Sequence, residues 1–589
     1  MDLVDWQRAL RVQAGREALF RIANVGTETV FSDYRVDNPE KGSTYRVAIR
    51  GVVPGDNFCA CPDYAANGLG TCKHIEAVIH RLRAKRATAT VLTAGSVPAY
   101  SELFLRYAGQ PELQVRLGVD CPPAVRRAAA RAFADGALRD ASAITGLVGA
   151  AATAGHDLRF YDDARAWLAR RADDRRRHDR LRDAYPKGAK DRALAGLLRS
   201  VRLHPYQCEG AWFLAERGRA ILADDMGLGK TAQAIAAALM LERAANARNV
   251  LIVTSASLKG QWAEEIARFT GRQAQVVAGL APVRGQQWAD AAQGWKIVNY
   301  DALHRDLAGI TAWGPDLLIL DEAQRVKNWP TRAAQAVRRI AAPHCFILTG
   351  TPLENRLEEL HAIVEIVDRH RLGPLYAFVA RHTELEPGST KVVGYRDLDH
   401  VAETLAPILL RRTRAQVLTQ LPGRTDQVRR VELTAAQRAL HDEAGEQVAA
   451  LVARWRRRRF LSEEERQKLM HLLTRMRMAC DDAYLLDPTQ RDGRKLDELI
   501  AILDAELAEP GVKAVVFSSW LAMHELIRAR CDERGWPYAF LHGGVPSAQR
   551  PALVRRFRED PTCRLFLATD CGSTGLNLQC ASVLVNVDL

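Results

Sequence analysis

Long hydrophobic runs are absent from this sequence. No stretch reaches the roughly 18 apolar residues that a membrane-spanning helix needs, and the N-terminal MDLVDWQRAL lacks the basic-then-apolar pattern of a secretory signal. An internal repeat of the period that builds a solenoid is also missing. We therefore expect a cytoplasmic protein that has no membrane partner.

Clustered cysteines are also scarce. Of eleven cysteines, only Cys59 and Cys61 form a close pair, and Cys72 follows eleven residues later with His74 beside it. This pattern suits a metal site in a reducing compartment better than a disulfide framework. Thiolates and an imidazole in two close pairs suit tetrahedral Zn²⁺, which would be structural because protein ligands fill all four positions. The alternative is a set of buried cysteines without a metal near a helix start.

The length and charge indicate a multidomain protein with a polyanionic partner. At roughly 150 residues per domain, 589 residues predict about four domains, and 48% hydrophobic with 26% charged residues is ordinary for a folded protein. The net charge of +13 and the pI near 9.3 favour nucleic acid before acidic lipid. An arginine-rich solvated surface would give the same charge, so composition alone leaves both interpretations open.

The apolar pattern predicts an α/β fold. An alternating stretch from Tyr45 to Arg50 indicates a small β module, and amphipathic helical patterns follow it. From residue 197, short apolar strands alternate with helices, which predicts a parallel sheet flanked by helices. The predicted strands are 220–223, 250–253, 317–320, 345–348, 514–517 and 564–568. The predicted domains are 1–90, a zinc-binding module; 91–196, a helical region; 197–370, a first lobe; 371–494, helical inserts and the lobe connection; and 495–589, a second lobe.

Two basic tracts have different compositions. The tract 165–192 is interleaved with aspartates, which favours a salt-bridged helix exposed to solvent. The tract from Arg454 to Phe460 carries five arginines, a tryptophan and a phenylalanine without an acid. It could neutralise phosphates while its aromatic rings pack, or it could be a solvated helix face.

The strongest local signal is a glycine-rich loop between a strand and a helix. Residues 221–231 read ILADDMGLGKT. Gly227 and Gly229 would let the backbone approach phosphates, and the helix N-terminus would favour their charge. Lys230 would neutralise the β- and γ-phosphates, and the Thr231 hydroxyl would bind Mg²⁺. Asp224 replaces the first glycine of the strict phosphate-loop pattern.

An acidic pair follows another buried strand, at Asp321 and Glu322. In parallel sheets, ligand sites lie at the carboxyl ends of the strands. Asp321 could therefore hold Mg²⁺, directly or through water, and Glu322 could polarise the attacking water. The alternative is a pair of acids that caps the next helix.

An ordered set of segments resembles the motifs of the Swi/Snf-type ATPases of helicase superfamily two, over about residues 200–589. The segments are 203–210 (adenine recognition), 223–231 (motif I), 255–262 (Ia), 297–300 (Ib), 321–324 (II), 348–355 (III), 410–413 with Leu421 and Pro422 (lobe connection), 516–520 (IV), 541–544 (a DNA-strand contact) and 569–579 (V). The Cys/His cluster resembles the SWIM domain, a zinc-binding β-β-α module found beside bacterial members of this family.

The resemblance implies two RecA-like lobes that close on ATP and Mg²⁺, in the bacterial cytosol or nucleoid. It implies that Gln324 joins Lys230, Asp321 and Glu322 in catalysis. The implied nucleotide-binding residues are Gln207, which would read adenine, and Asp225, Met226, Gly227, Leu228, Gly229, Lys230 and Thr231. Those implied to couple the nucleotide to DNA are Thr349, Gly350, Thr351, Ser518, Thr569 and Gly575.

One expected segment does not follow. Motif VI, with the arginines that complete the ATP site, should come a few tens of residues after the strand 582–587, whereas the sequence ends at Leu589. Such arginines contribute about 10³ to 10⁵ in rate. We therefore expect this chain to bind ATP and to hydrolyse it slowly.

Three functions fit the phosphate loop and the acidic pair. The favoured one is an ATP-driven translocase on double-stranded DNA that remodels or displaces DNA-bound proteins, RNA polymerase among them. The second is an ATP-sensing adaptor that is recruited through its zinc module and hydrolyses little ATP. The third, a phosphate-loop ATPase that does not act on DNA, leaves the likenesses to motifs III and V without an explanation.

Overall fold

In the computed structural model the chain forms two compact units, residues 1–254 with 265–419 and residues 255–264 with 420–589. The structure describes residues 2–40, 42–95, 97–107, 110–328, 331–350, 356–386, 388, 391–417, 426–490, 493–546, 549–572, 576 and 578–588. Across those ranges we find no helix that is both long and apolar enough to cross a membrane.

The N-terminal part of the first unit is an antiparallel sheet of four strands, in the order β1-β2-β3-β4, with helices before and after it. Its first helix packs on α3, because Gly15 has no side chain where a Cβ would lie 2.7 Å from the main-chain oxygen of Lys73. The elements are α1 (Leu3–Glu17), β1 (Arg21–Asn24), β2 (Asp33–Asn38), β3 (Ser43–Ala48), β4 (Phe58–Cys59), α2 (Pro62–Asn67), α3 (Lys73–Arg83) and α4 (Arg86–Ala94).

The prediction of a helical region over 91–196 needs a correction, because this region contains a five-stranded sheet in the order β7-β8-β6-β5-β9. Leu103 and Leu105 point into its core, but apolar runs this short have no period that separates strand from helix. The elements are β5 (Ser101–Arg106), β6 (Glu112–Arg116), α5 (Pro123–Ala132), β7 (Phe133–Ala134), β8 (Ala137–Leu138), α6 (Ile144–Thr153), β9 (Leu158–Phe160), α7 (Asp162–Ala184) and α8 (Arg192–Ala195).

Helix α7 contains most of the first basic tract. As predicted, much of it is exposed and salt-bridged, for example between Arg176 and Asp173. Arg177, however, is buried and donates to the carbonyls of Glu216 and Arg217, and Arg180 donates to that of Ala244. These carbonyls lie at the C-terminal ends of two helices, Pro205–Arg217 and Lys230–Ala245. Helix α7 is therefore packed against both of them.

The first unit also holds a parallel sheet of seven strands, in the order β12-β13-β11-β14-β15-β10-β18. The four strands predicted between 220 and 348 are confirmed within about one residue. The sheet extends past the predicted lobe boundary at 370, because Leu409 and Leu410 form an edge strand beside β10. The elements are α9 (Pro205–Arg217), β10 (Arg219–Leu222), α10 (Lys230–Ala245), β11 (Val250–Thr254), α11 (Lys259–Thr270), β12 (Gln275–Val276), α12 (Ala281–Ala289), β13 (Trp295–Asn299), α13 (Leu303–Trp313), β14 (Leu317–Asp321), α14 (Arg332–Arg339), β15 (His344–Leu348), α15 (Leu357–Val367), α16 (Leu375–His382), β16 (Thr383–Leu385), β17 (Val392–Tyr395), α17 (Leu398–Leu405), β18 (Leu409–Leu410) and α18 (Arg414–Val417).

The second unit combines two long helices, α19 and α20, with a parallel sheet in the order β20-β21-β19-β22. Both helices begin with a capping box, at Thr434 with Gln437 and at Ser462 with Glu465. The elements are α19 (Ala435–Arg458), α20 (Glu463–Asp481), α21 (Arg494–Ala508), β19 (Ala514–Phe517), α22 (Leu521–Glu533), β20 (Tyr538–Leu541), α23 (Arg550–Glu559), β21 (Leu565–Ala568) and β22 (Val583–Asn586). The α/β fold class with parallel sheets is thus confirmed.

Candidate nucleotide site and zinc site

The glycine-rich loop lies between β10 and α10, as predicted. Gly227 and Gly229 have φ of +86° and +73°, a backbone region that favours glycine. A Cβ on Gly229 would also collide with the side-chain amide of Gln207. Helix α10 begins at Lys230, so the N–H groups of its first turn face the loop and can donate hydrogen bonds to phosphate oxygens.

Lys230 reaches back over this loop. Its Nζ donates to the main-chain oxygens of Asp224 at 2.8 Å and Asp225 at 3.2 Å. Desolvation lowers the pKa of Lys230, and the nearby carboxylates of Glu322 and Asp321 act in the opposite direction. A phosphate group could take the place of these two carbonyls as the partner of the ammonium.

The acidic pair stands at the end of β14, two strands away from β10 in the same sheet. Asp321 accepts hydrogen bonds from the Thr254 hydroxyl at 3.2 Å and from the Glu322 N–H at 3.0 Å, and the Tyr300 hydroxyl donates to its main-chain oxygen at 2.7 Å. Glu322 has φ of +52°, a strained value for a residue with a side chain. These contacts fix the carboxylate of Asp321 where a Mg²⁺ ligand is expected.

Glu322 is linked by hydrogen bonds to the end of β15, the strand between β14 and β10. The Gln324 side-chain amide donates to the Glu322 carboxylate, and the Thr349 hydroxyl donates to the Gln324 oxygen at 3.4 Å. A Cβ on Gly350 would lie 2.9 Å from the Met226 side chain. Motifs I, II and III therefore meet at the carboxyl edge of three adjacent strands. Of the predicted coupling residues, Thr351 lies outside the described residues.

Gln207 lies beside the glycine-rich loop. Its amide donates to the main-chain oxygen of Leu228 at 3.3 Å and its oxygen accepts from the N–H of His204 at 3.0 Å. The adenine-reading role remains a prediction, as does the Mg²⁺ role of Thr231, which occupies the first turn of α10.

The second unit brings two further predicted residues together. Ser518 and Thr569 follow the neighbouring strands β19 and β21, and the Ser518 N–H donates to the carbonyl of Ala568 at 3.2 Å. Both side chains are buried. Gly575 lies outside the described residues, as do Leu421 and Pro422, so motif V and the lobe connection are described only in part.

The Cys/His cluster is confirmed as a group in space. The ligand atoms of Cys59, Cys61, Cys72 and His74 all lie within 4.8 Å of one another, and all four residues are buried. His74 presents Nδ1, at 3.8 Å from the sulfur of Cys59 and 3.9 Å from that of Cys72. Three sulfurs and one nitrogen at such spacing fit a tetrahedral zinc ion with Zn–S bonds of about 2.3 Å.

The three thiols of the cluster lie close enough to influence one another's ionisation. Hydrogen bonding with Cys59 lowers the pKa of Cys61, whereas burial raises the pKa of Cys72. Three thiolates this close could coexist only with a positive charge among them. The chemistry of the donor set thus fits Zn²⁺, and protein donors fill all four positions, as in a structural site.

The sequence interpretation missed one set of contacts at the nucleotide loop. Asp224 was noted only as a replaced glycine, yet it is fully buried and bonded to Arg412 and Gln233. An aspartate that ends a run of buried strand residues needs a cationic partner, and that was the available signal. The identity of a partner 188 residues away could not be read from the sequence.

Known proteins resemble the chain from residue 206 onward. Residues 206–485 match the SNF2-related domain, and residues 494–589 match the helicase conserved C-terminal domain. YwqA of Bacillus subtilis (strain 168), named as an ATP-dependent helicase/translocase, is 30% identical in an alignment of 409 residues that covers 66% of this chain and 43% of that protein. The chromodomain-helicase-DNA-binding protein 1-like of Mus musculus is 28% identical in an alignment of 414 residues that covers 66% of this chain and 44% of that protein.

The chain spans less than half the length of these two relatives. A solved Sulfolobus solfataricus SWI2/SNF2 ATPase core in complex with dsDNA shares 23% identity and covers 66% of this chain and 82% of its own, with a TM-score of 0.36. The chain therefore contains an SNF2-related domain followed by a helicase conserved C-terminal domain, and its relatives are SNF2/helicase-type ATPases.

Proposed function

We propose that this chain is an ATP-dependent translocase on double-stranded DNA that remodels or displaces DNA-bound protein complexes, RNA polymerase among them. The observation that carries the proposal is the meeting of Lys230, Asp321, Glu322 and Thr349 at one edge of the seven-stranded sheet. Hydrolysis needs a cation at the phosphates, a magnesium ligand and a group that polarises water. Lys230 would supply the cation, Asp321 the magnesium ligand and Glu322 the polarising group. Glu322 is linked through Gln324 to Thr349 of motif III.

Support for a DNA partner comes from the C-terminal end of α19. Arg454 to Arg459 are exposed there, together with Trp455 (43% exposed) and Phe460 (69% exposed). Large exposed aromatic side chains beside several arginines are typical of a surface that binds a polyanion, when that polyanion also carries aromatic or apolar groups. The names of the relatives, which include helicase, translocase and DNA-binding, agree with this partner.

The Cys/His cluster is the zinc centre of a SWIM-type module in this proposal, with Zn²⁺ in a structural role. The module lies against the ATPase part of the same unit: the Tyr376 hydroxyl donates to the carbonyl of Asn67 at 3.2 Å, and Gly68 approaches Pro374 so closely that a Cβ would lie 3.2 Å from its ring. This contact favours a module that supports the motor. The same contact is compatible with the second function, an adaptor that recruits partners through the module.

The first experiment measures the ATPase rate of the full chain with linear duplex DNA, single-stranded DNA or structured RNA. Because we expect slow turnover, the readout is the ratio of the rate with nucleic acid to the rate without it. A larger ratio for duplex DNA than for the other two supports the proposal, and Lys230→Ala should abolish the stimulation. Stimulation by RNA alone would overturn the choice of substrate. ATP binding without turnover on any nucleic acid would favour the adaptor.

The second experiment tests the basic surface of α19. A variant with Arg456, Arg457 and Arg458 changed to alanine should bind duplex DNA more weakly and lower the slope of log K against log salt by up to about 3, since each lost phosphate contact removes about 0.9. A matched variant with Arg170, Arg171 and Arg175 of α7 changed to alanine loses the same charge. Equal effects of both variants would contradict a specific contact at α19.

A further inference from the structure

A buried carboxylate stands at the start of the nucleotide loop. Asp224 is 0% exposed, at the position where the strict phosphate-loop pattern has a glycine. Its partner is Arg412, which is 9% exposed and binds it through three hydrogen bonds: the main-chain N–H and Nε to Oδ1 at 3.1 and 3.0 Å, and Nη2 to Oδ2 at 2.6 Å. A two-pronged bond of this kind fixes direction as well as distance.

Gln233, in the first turns of α10, completes the cluster. Its amide donates to Asp224 Oδ2 at 3.2 Å and to the carbonyl of Leu228 at 3.1 Å, and its oxygen accepts from Arg412 Nη2 at 2.9 Å. Gly210 leaves the necessary space, because a Cβ there would overlap the Gln233 oxygen. The cluster therefore joins the start of the loop, its far end and the helix that begins at Lys230.

The main chain around Arg412 is also hydrogen-bonded to the main chain of the loop. Ala223 N–H donates to the carbonyl of Leu410 at 2.7 Å and Asp225 N–H to that of Arg412 at 3.0 Å. Arg414 donates from its N–H to the Asp225 carboxylate at 3.0 Å and from Nε to the carbonyl of Met226 at 2.8 Å. Residues 410–414 thus lie along the loop, and from residue 420 the chain belongs to the second unit.

We propose that Arg412 and Asp224 are a positioning pair that holds the nucleotide loop in its binding shape and transmits its state to the segment 410–417. The inference rests on the proposed function. In the structure, Lys230 donates to the carbonyls of Asp224 and Asp225, the same two residues that hold Arg412 and Arg414. ATP that draws the Lys230 ammonium to its phosphates releases both carbonyls, and the segment that leaves the first unit changes its hydrogen bonding in response.

The test compares Asp224→Asn, Arg412→Gln and the double variant with the wild-type chain. A fluorescent ATP analogue reports affinity, and amide hydrogen exchange of residues 410–417 reports the segment. Each single change should weaken analogue binding about 10-fold, and the double change should add little, because coupled residues are not additive. ATP should alter exchange of 410–417 in the wild type, and this response should be lost in Arg412→Gln.

The control is Arg284→Gln, which breaks a similarly buried ion pair with Asp306 in the same unit. It should keep analogue affinity within about twofold of wild type. The inference is overturned if Arg412→Gln keeps both wild-type affinity and the exchange response, or if Arg284→Gln loses as much affinity. If Arg412→Gln does not fold, Arg412→Lys carries the same test, since it keeps the buried charge without the two-pronged bond. Failure of the wild-type chain to bind the analogue would overturn the proposed function instead.

Discussion

Replacement of Cys72 by serine should unfold the N-terminal zinc module. The four ligands fix three elements at one point: Cys59 ends β4, the sulfur of Cys61 caps α2, and Cys72 immediately precedes α3, whose first turn carries His74. Three of the buried side chains in the core of this module are the cysteine ligands themselves. The rest of that core is made of apolar side chains, mainly from β2, β3 and α3. The joint between β4 and the starts of α2 and α3 depends on the four ligands, so loss of the metal should release these elements from one another.

The expected magnitude follows from this arrangement. A structural zinc site contributes about 10–16 kcal/mol of apparent binding free energy at neutral pH. A whole domain is stable by only about 5–15 kcal/mol. The zinc contribution is thus as large as the stability of a whole domain, and we expect the small module to be unfolded in the variant.

Elemental analysis and limited proteolysis measure the outcome. The wild-type chain should carry one zinc ion, and Cys72→Ser should lose it and become cleavable within α1 to α4. Cys121→Ser is the control, because this thiol is also buried but lies outside the cluster. A wild-type protein without zinc after gentle purification, or a Cys72→Ser variant with wild-type resistance to protease, would refute the reasoning.

Exchange of Glu322 for glutamine should keep ATP binding but slow single-turnover hydrolysis about 10²- to 10⁴-fold, the contribution of a positioned base; an unchanged rate would exclude this role. Gly15→Ala should lower the free energy of unfolding by about 1–3 kcal/mol, because its Cβ would lie 2.7 Å from the Lys73 oxygen. Gly146→Ala, which has open space around it, should not lower it, and thermal melts compare the two. Burial, with the nearby Arg177 and Arg219, lowers the pKa of His344 to about 3, below its usual 6.5. The unfolded chain therefore binds the proton first, and stability that is complete above pH 6.5 is lost as the pH falls toward 3. Urea titrations should show a loss of about 2 kcal/mol between pH 7 and 5 that His344→Gln removes; an equal loss in the variant would contradict this assignment.

The strands around the nucleotide site could be predicted from the sequence alone. Leu317 to Leu320 and Cys345 to Leu348 are continuous apolar runs that alternate with helical patterns, which is typical of a parallel sheet covered on both faces. The following residues, Asp321 and Thr349, then had to lie at one edge, because the carboxyl ends of parallel strands point the same way. The Cys/His cluster could also be predicted from the sequence, since its residues are close together in the chain.

Other features could not be read locally. The five-stranded sheet over residues 101–160 was predicted as helices, because its strands are too short to display a period. The edge strand at Leu409 depends on pairing with β10, almost 190 residues earlier in the chain. Helix α1, at the N-terminus, is placed by a glycine contact with α3 that no local pattern indicates.

By itself, the sequence determined which residues follow which strands, and so it determined the chemistry at the carboxyl edge: a lysine, a threonine, two acids and a glutamine. Only the tertiary structure decided which distant groups hold them in place. Asp224 is a buried charge whose cost had to be met by some cation, and the fold selected Arg412 from 83 lysines and arginines. Burial makes such a partner necessary, whereas its identity depends on which strand pairs at the edge of the sheet, a long-range contact that local sequence does not encode.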